Sequence, residues 1–247
     1  MKSFDWKAFA AAVLAAILAV LGGRQLPQPG TPTDPNPKPL PDAKPSQNPV
    51  DAIGRLVMSG GYCSATPVTP LGKDRTQTVL TAAHCATAIG EVCQFYTRSG
   101  RMVKVTVKAI NRDVDACLMT TEPLTEALPY LLVATETPSA GTAVFHAGFG
   151  IDNPGNVEKG KVLSPNTGHG QAMYELSVSP GDSGGGICVD SSGAILSPVC
   201  CTTRLAAVGQ VYGARPEEVR KMLVTPAAFV GVPPVQMPMR EEKVISQ

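Results

Sequence analysis

Ser179-Pro180-Gly181-Asp182-Ser183-Gly184-Gly185-Gly186 is a poor core segment. It has little to bury, and glycine weakens regular elements. The same composition suits a place where backbone must approach a ligand closely. Glycine at 181, 184 and 185 lets the chain turn tightly around one exposed hydroxyl, that of Ser183. Backbone N–H groups near that hydroxyl can then converge on one spot, as stabilisation of a developing oxyanion requires. In isolation the stretch also reads as a glycine-rich turn that happens to contain a serine. Two other stretches bear on the choice.

Upstream lies Leu80-Thr81-Ala82-Ala83-His84-Cys85, and between the two lies Asp113-Val114-Asp115-Ala116-Cys117-Leu118. Gly-Asp-Ser-Gly-Gly and Thr-Ala-Ala-His-Cys, with an Asp ahead of an apolar strand, in the order His, Asp, Ser, resemble the trypsin/chymotrypsin-like serine peptidases. The resemblance covers roughly residues 52 to 203. It implies an all-β fold of two packed six-stranded antiparallel β-barrels of chymotrypsin type, closed by a short C-terminal helix. The alternative function on the same fold is a catalytically inactive binding module at the cell surface, though none of the three residues is missing.

Chemistry assigns the roles that the resemblance implies. The Ser183 hydroxyl is a weak nucleophile until a base takes its proton. His84 is the natural base, and the only one of the three histidines inside a motif; His146 and His169 read as a strand and a loop histidine. Asp115 would orient the imidazole. Asp113 is the rival, and Asp115 is preferred because the apolar run starts directly after it. By resemblance the backbone at Gly181 and Ser183 forms the oxyanion hole. Asp182 reads as satisfying local backbone donors, since no sequence suited to a freed N-terminus follows a basic residue. Ser177, six before the nucleophile, falls at the pocket floor, with Val178 as the alternative. Ser197-Pro198-Val199 falls at the pocket wall, with Val199 partly filling the mouth. An uncharged floor and a narrowed mouth imply cleavage after small or medium apolar residues. The resemblance also implies a Cys63–Cys85 disulfide, and Cys93 with Cys117 is a further candidate pair. Zinc is the competing use of the seven cysteines, but no Cys-x-x-Cys unit is present. No metal or other cofactor is implied, and the partner is a protein or peptide substrate.

The remaining chain fits this frame. Balanced charge, 21 Lys+Arg against 20 Asp+Glu, gives no argument for a nucleic-acid partner. Many Gly and Pro suit short strands and turns. Residues 1–23 read as a secretory signal, or an uncleaved membrane anchor: Lys2 and Lys7 precede an apolar run from Ala8 to Leu21. Residues 24–51 carry nine prolines, at 27, 29, 32, 35, 37, 39, 41, 45 and 49, which excludes helix and interior strand and predicts an extended spacer. The peptidase domain is expected over 52–231, with barrels at about 52–122 and 139–213, and a disordered tail over 232–247. Pro216 to Leu223 reads as a helix with Pro in its first turn and acids beside it. A secretory start with this many cysteines points to a secreted or periplasmic protein with disulfides.

Overall fold

The computed structural model describes residues 44–150, 155, 157–202 and 209–225, with Cys201 and Thr202 as backbone. The signal or anchor segment, most of the proline-rich spacer and the tail from 232 lie outside the described residues.

Six short strands form the first barrel: β1 Gly54–Met58, β2 Gly61–Pro67, β3 Thr78–Thr81, β4 Val92–Tyr96, β5 Met102–Asn111 and β6 Ala116–Thr121. Their order is β1-β2-β3-β6-β5-β4, all antiparallel and closed between β1 and β4. Alternation explains the inside and the outside. Along β5, Val103, Val105 and Val107 point inward while Met102, Lys104 and Lys108 face water. Leu56, Val79, Phe95 and Met119 complete this core.

The second sheet follows: β7 Ala143–Ala147, β8 Val157–Ser164, β9 Gln171–Glu175, β10 Gly186–Val189, β11 Ile195–Pro198, β12 Cys201–Thr202 and β13 Gln210–Ala214. Its order is β11-β10-β7-β8-β9-β13-β12. The two ends of that order are the halves of one bent segment. Its first half pairs with β10 and its second half with β13. Counting that segment once gives six strands, curled into a half-barrel where the sequence predicts a second barrel. Val144, Val162, Tyr174, Ile187, Leu196 and Val211 fill it.

A third apolar cluster joins the two barrels, with Leu80 and Leu118 from the first meeting Phe145, Cys188 and Ile195 from the second. Helix α1, Pro216–Val224, buries Val219 and Met222 there. Pro216 opens it, and Glu217 and Glu218 lie in its first turn, where the helix dipole favours acids. The inter-barrel connector runs along β11, with a parallel bridge between Val133 and Ile195. The end of the proline-rich stretch is laid on the body. The Ser46 N–H donates to the Tyr130 carbonyl at 2.8 Å, and residues Pro49–Ala52 make a 3-10 turn.

Candidate active site

The candidate residues come from both barrels. His84 sits on the 3-10 turn Ala83–Cys85, directly after β3. Asp115 ends the turn between β5 and β6, one residue before β6. Its φ of 57° is left-handed, an uncommon conformation for a residue other than glycine. That turn aims both carboxylate oxygens at one residue. Oδ1 accepts the His84 backbone N–H at 2.8 Å, and Oδ2 lies 2.7 Å from His84 Nδ1. The carboxylate favours the tautomer with its proton on Nδ1, which leaves Nε2 as the basic nitrogen. Asp113, the rival acid, is exposed on the same turn, where its N–H is held by the Asn111 side chain.

The loop between β9 and β10 carries Ser183. Ser64 on β2 stitches it to the first barrel. The Ser64 N–H donates to the Ser183 carbonyl at 2.8 Å, and its hydroxyl donates to the Gly181 carbonyl at 2.8 Å. That hydroxyl also accepts the Phe149 N–H at 2.8 Å. Sequence reading passed over this residue; its only signal was a serine directly after Cys63 in an apolar strand. Cys63 and Cys85 are joined by a disulfide, as the resemblance implies. Cys85 Sγ lies 3.9 Å from the Ser183 carbonyl oxygen, so the bridge brings the histidine turn against the backbone of the serine. Close approach also explains the glycines. At Gly184, φ is +81° and a Cβ would strike Thr81 Oγ1 and the Ser64 carbonyl.

The loop's own hydrogen bonds are selective. The N–H groups of Asp182, Gly184 and Gly185 go to the carbonyls of Ser179, Val199 and Asp182. Among the described residues the N–H groups of Gly181 and Ser183 meet no protein acceptor. Asp182 fixes the turn from beneath: its carboxylate accepts the N–H groups of Ser179 and Gly150, each at 2.8 Å. Burial pushes its carboxyl up, but His146 and those two N–H groups outweigh burial and hold it below the usual carboxylate range.

The expected pocket residues differ in exposure. Ser177 is exposed and Val178 half-buried at the end of β9. Ser197 is fully buried, with its hydroxyl donating to the Pro198 carbonyl and packed against Gly213. Val199 is also buried, and its backbone pairs with Gly184 and Gly185. Cys93 and Cys117 are free buried thiols, so the second candidate bridge is not formed; Cys188 is free and buried as well. Cys63, His84 and Cys85 place potential metal-ligand atoms within 4.8 Å of one another, but the two sulfurs are bonded to each other.

The fold and this constellation define a chymotrypsin-like serine peptidase scaffold. Residues 63–196, more than half of the chain, match the trypsin-like peptidase domain, and the chain belongs to that family. A serine endoprotease of Yersinia pestis is similar in structure, with a TM-score of 0.61 at 15% identity, over 74% of this chain and 67% of that one. Rv3671c of Mycobacterium tuberculosis H37Rv, in an inactive form, gives a TM-score of 0.58 at 19% identity, over 78% of this chain and 100% of that one. An HtrA-type protease, AlgW, with a tripeptide gives 0.59 at 14% identity, over 71% of this chain and 60% of that one. At these identities the likeness is one of fold. No curated protein matches the sequence.

Proposed function

We propose that the protein is a serine endopeptidase acting through an acyl-enzyme, with His84, Asp115 and Ser183 as the catalytic triad. Ser183 Oγ attacks the scissile carbonyl carbon while its proton passes to His84 Nε2. The carbonyl oxygen takes the negative charge and is stabilised by the N–H groups of Gly181 and Ser183. Collapse breaks the C–N bond, and His84 returns the proton to the leaving amine. Water, deprotonated by the same imidazole, then frees the acid and restores Ser183. The observation that carries this reading is the two-point hold of Asp115 on His84. The two unengaged N–H groups beside Ser183 support the oxyanion assignment. An inactive binding module has no need of such a hold and is not favoured.

A fluorophosphonate probe tests the proposal. It should label the protein once, at Ser183, and leave Ser183→Ala unlabelled. Equal labelling of the two would remove Ser183 as the nucleophile, and no labelling of either would overturn the enzyme.

The proposed substrate preference is for small or medium uncharged side chains before the cut, supported by the neutral Ser177 and Val178 near the loop. Dominant cleavage of a peptide library after Arg, Lys or Glu would overturn it. Secretion or surface tethering is proposed from the apolar run 8–21 and supported by the disulfide. N-terminal sequencing of material exported by the cell distinguishes a cleaved signal from an anchor.

A further inference from the structure

The Tyr62 ring, on β2, is packed against one of the two glycine-loop residues assigned to the oxyanion site. A Cβ on Gly181 would come within 2.5 Å of Tyr62 Cε2, so no side chain fits between them. The Arg55 guanidinium, from β1, covers the same ring, with its carbon 4.1 Å from the ring centroid. That spacing is a cation–π contact, and it fixes where the charge sits. Arg55 is exposed and Tyr62 half-buried. Among the described residues the guanidinium has no ion-pair partner, and neither it nor the Tyr62 hydroxyl is hydrogen-bonded.

The surroundings hold no anion for that charge. The register partners of Arg55 are Ser64 on β2 and Tyr96 on β4. The adjoining strands β2, β1, β4 and β5 contain no Asp or Glu. They carry Arg55, Lys104 and Lys108, all exposed. Glu122, which follows β6, accepts the Lys104 backbone N–H at 3.2 Å and not a group of Arg55. A cationic face of this kind attracts an anionic ligand.

The chain also sets the side of the cut. Cys63, next to Tyr62, is bridged to Cys85, next to His84. Tyr62 therefore lies on the histidine side of Gly181, where His84 would hand its proton to the leaving amine. The guanidinium stands one aromatic ring away from Gly181, a reach of roughly two extended residues at about 3.3 Å each.

We propose that Arg55, seated on Tyr62, is a specificity-determining residue that binds a substrate carboxylate about two residues beyond the cut, on the leaving-group side. This deepens the peptidase reading above and rests on it. The carboxylate is an acidic side chain or, in a substrate that ends there, the chain terminus; both offer two oxygens to the guanidinium fork.

Two measurements on the full chain test it. In a peptide library, the wild type should favour Asp or Glu over Asn or Gln within three residues after the cut by about fivefold in kcat/KM, the upper end for an exposed ion pair. High salt should shrink that preference. Arg55→Gln should abolish it, and Arg55→Glu should turn it toward Lys or Arg. Paired peptides ending two residues after the cut, as acid and as amide, tell a terminal carboxylate from a side chain. No preference for either carboxylate, or a preference that survives Arg55→Gln, overturns the proposal. The second measurement needs no turnover. The Ser183→Ala protein should bind a peptide with Glu at the favoured position more tightly than its Gln counterpart, and adding Arg55→Gln should equalise the two. Equal Kd for both peptides without the Arg55 change overturns the proposal. Failure of the wild type to take a fluorophosphonate would sink the peptidase reading, while the binding comparison still decides the carboxylate site.

Discussion

Asp115 holds His84 at two points, the backbone N–H through Oδ1 and ring Nδ1 through Oδ2, at 2.8 and 2.7 Å. The first contact fixes where the histidine turn lies and the second fixes how its ring is turned. The side chains differ in exposure, 47% for His84 and 14% for Asp115, so the acid is sheltered while the ring stays open to a substrate. Asp115→Asn separates the two functions. Its amide oxygen can still accept the backbone N–H, but its NH2 group meets Nδ1 and forces the proton onto Nε2, the wrong tautomer. Turnover should fall by roughly 10⁴-fold with the fold intact, the loss found when this arrangement is broken elsewhere. Steady-state rates beside a thermal melt check it. Undiminished turnover would show that Asp115 does not orient the base.

Arg112, on the same turn as Asp115, reaches the other side of the histidine turn. Its guanidinium donates to the carbonyls of Ala83 at 3.3 Å and of Ala86 and Thr87 at 3.2 Å. The Ala83 carbonyl opens the 3-10 turn and also accepts the Ala86 N–H, whereas Ala86 and Thr87 follow the turn, so the guanidinium clamps both of its ends. Arg112→Ala should destabilise the protein by about 1 to 2 kcal/mol, since the bonds are charge-assisted but long and half-exposed. It should also lower kcat more than it raises KM. Arg112→Lys should recover only part of the loss, because a point charge cannot span three carbonyls. Denaturant midpoints and kinetics on the two variants give the comparison.

The sequence made some of these relationships legible and hid others, for physical reasons. His84, Ser183 and the Cys63–Cys85 bridge stand in local motifs whose residue types are tied to their chemistry. The strands around them show alternation, as along β5. Asp115 stood beside Asp113 with the same chemistry, and only a backbone angle separates them: the left-handed turn that points one acid at His84 and leaves the other in solvent. The facing of the pocket-wall candidates was illegible for a different reason. One face of a strand differs from the other by a single residue, and Ile195 to Cys200 has no polar alternation to set the phase; Ser197 is fully buried. His146 was identifiable as a strand residue, but its partner Asp182 lies on a different loop and shares no motif with it.

The Cys63–Cys85 bridge closes a segment with a sequence separation of 22. In the chain-entropy account a loop of that size contributes about 3 kcal/mol by constraining the unfolded chain. The double substitution Cys63→Ser, Cys85→Ser should lower stability by that order. It should also reduce activity beyond what the stability loss explains, because Cys85 adjoins both His84 and the Ser183 carbonyl. Peptide mapping without reduction should recover the two cysteines linked. Recovery of both as free thiols would refute the bridge, and an unchanged denaturation midpoint in the double variant would refute its role in stability.

Asp182 predicts an acid limb of stability distinct from any effect on catalysis. Burial raises its carboxyl, but His146 and the Ser179 and Gly150 N–H groups win, so the folded value lies below the unfolded one. A group of this kind binds more protons unfolded than folded. Its contribution is fully present above the unfolded carboxylate range, near pH 4, and is lost as pH falls through the folded value. Asp182→Asn should therefore cost stability at pH 7, and the gap between variant and wild type should narrow as the pH is lowered below 4. Urea midpoints of both proteins at several pH values between 7 and 2 measure the gap directly. A gap that stays constant over that range would show that the charge on Asp182 contributes nothing, and that the loop is held by hydrogen bonds an amide can replace.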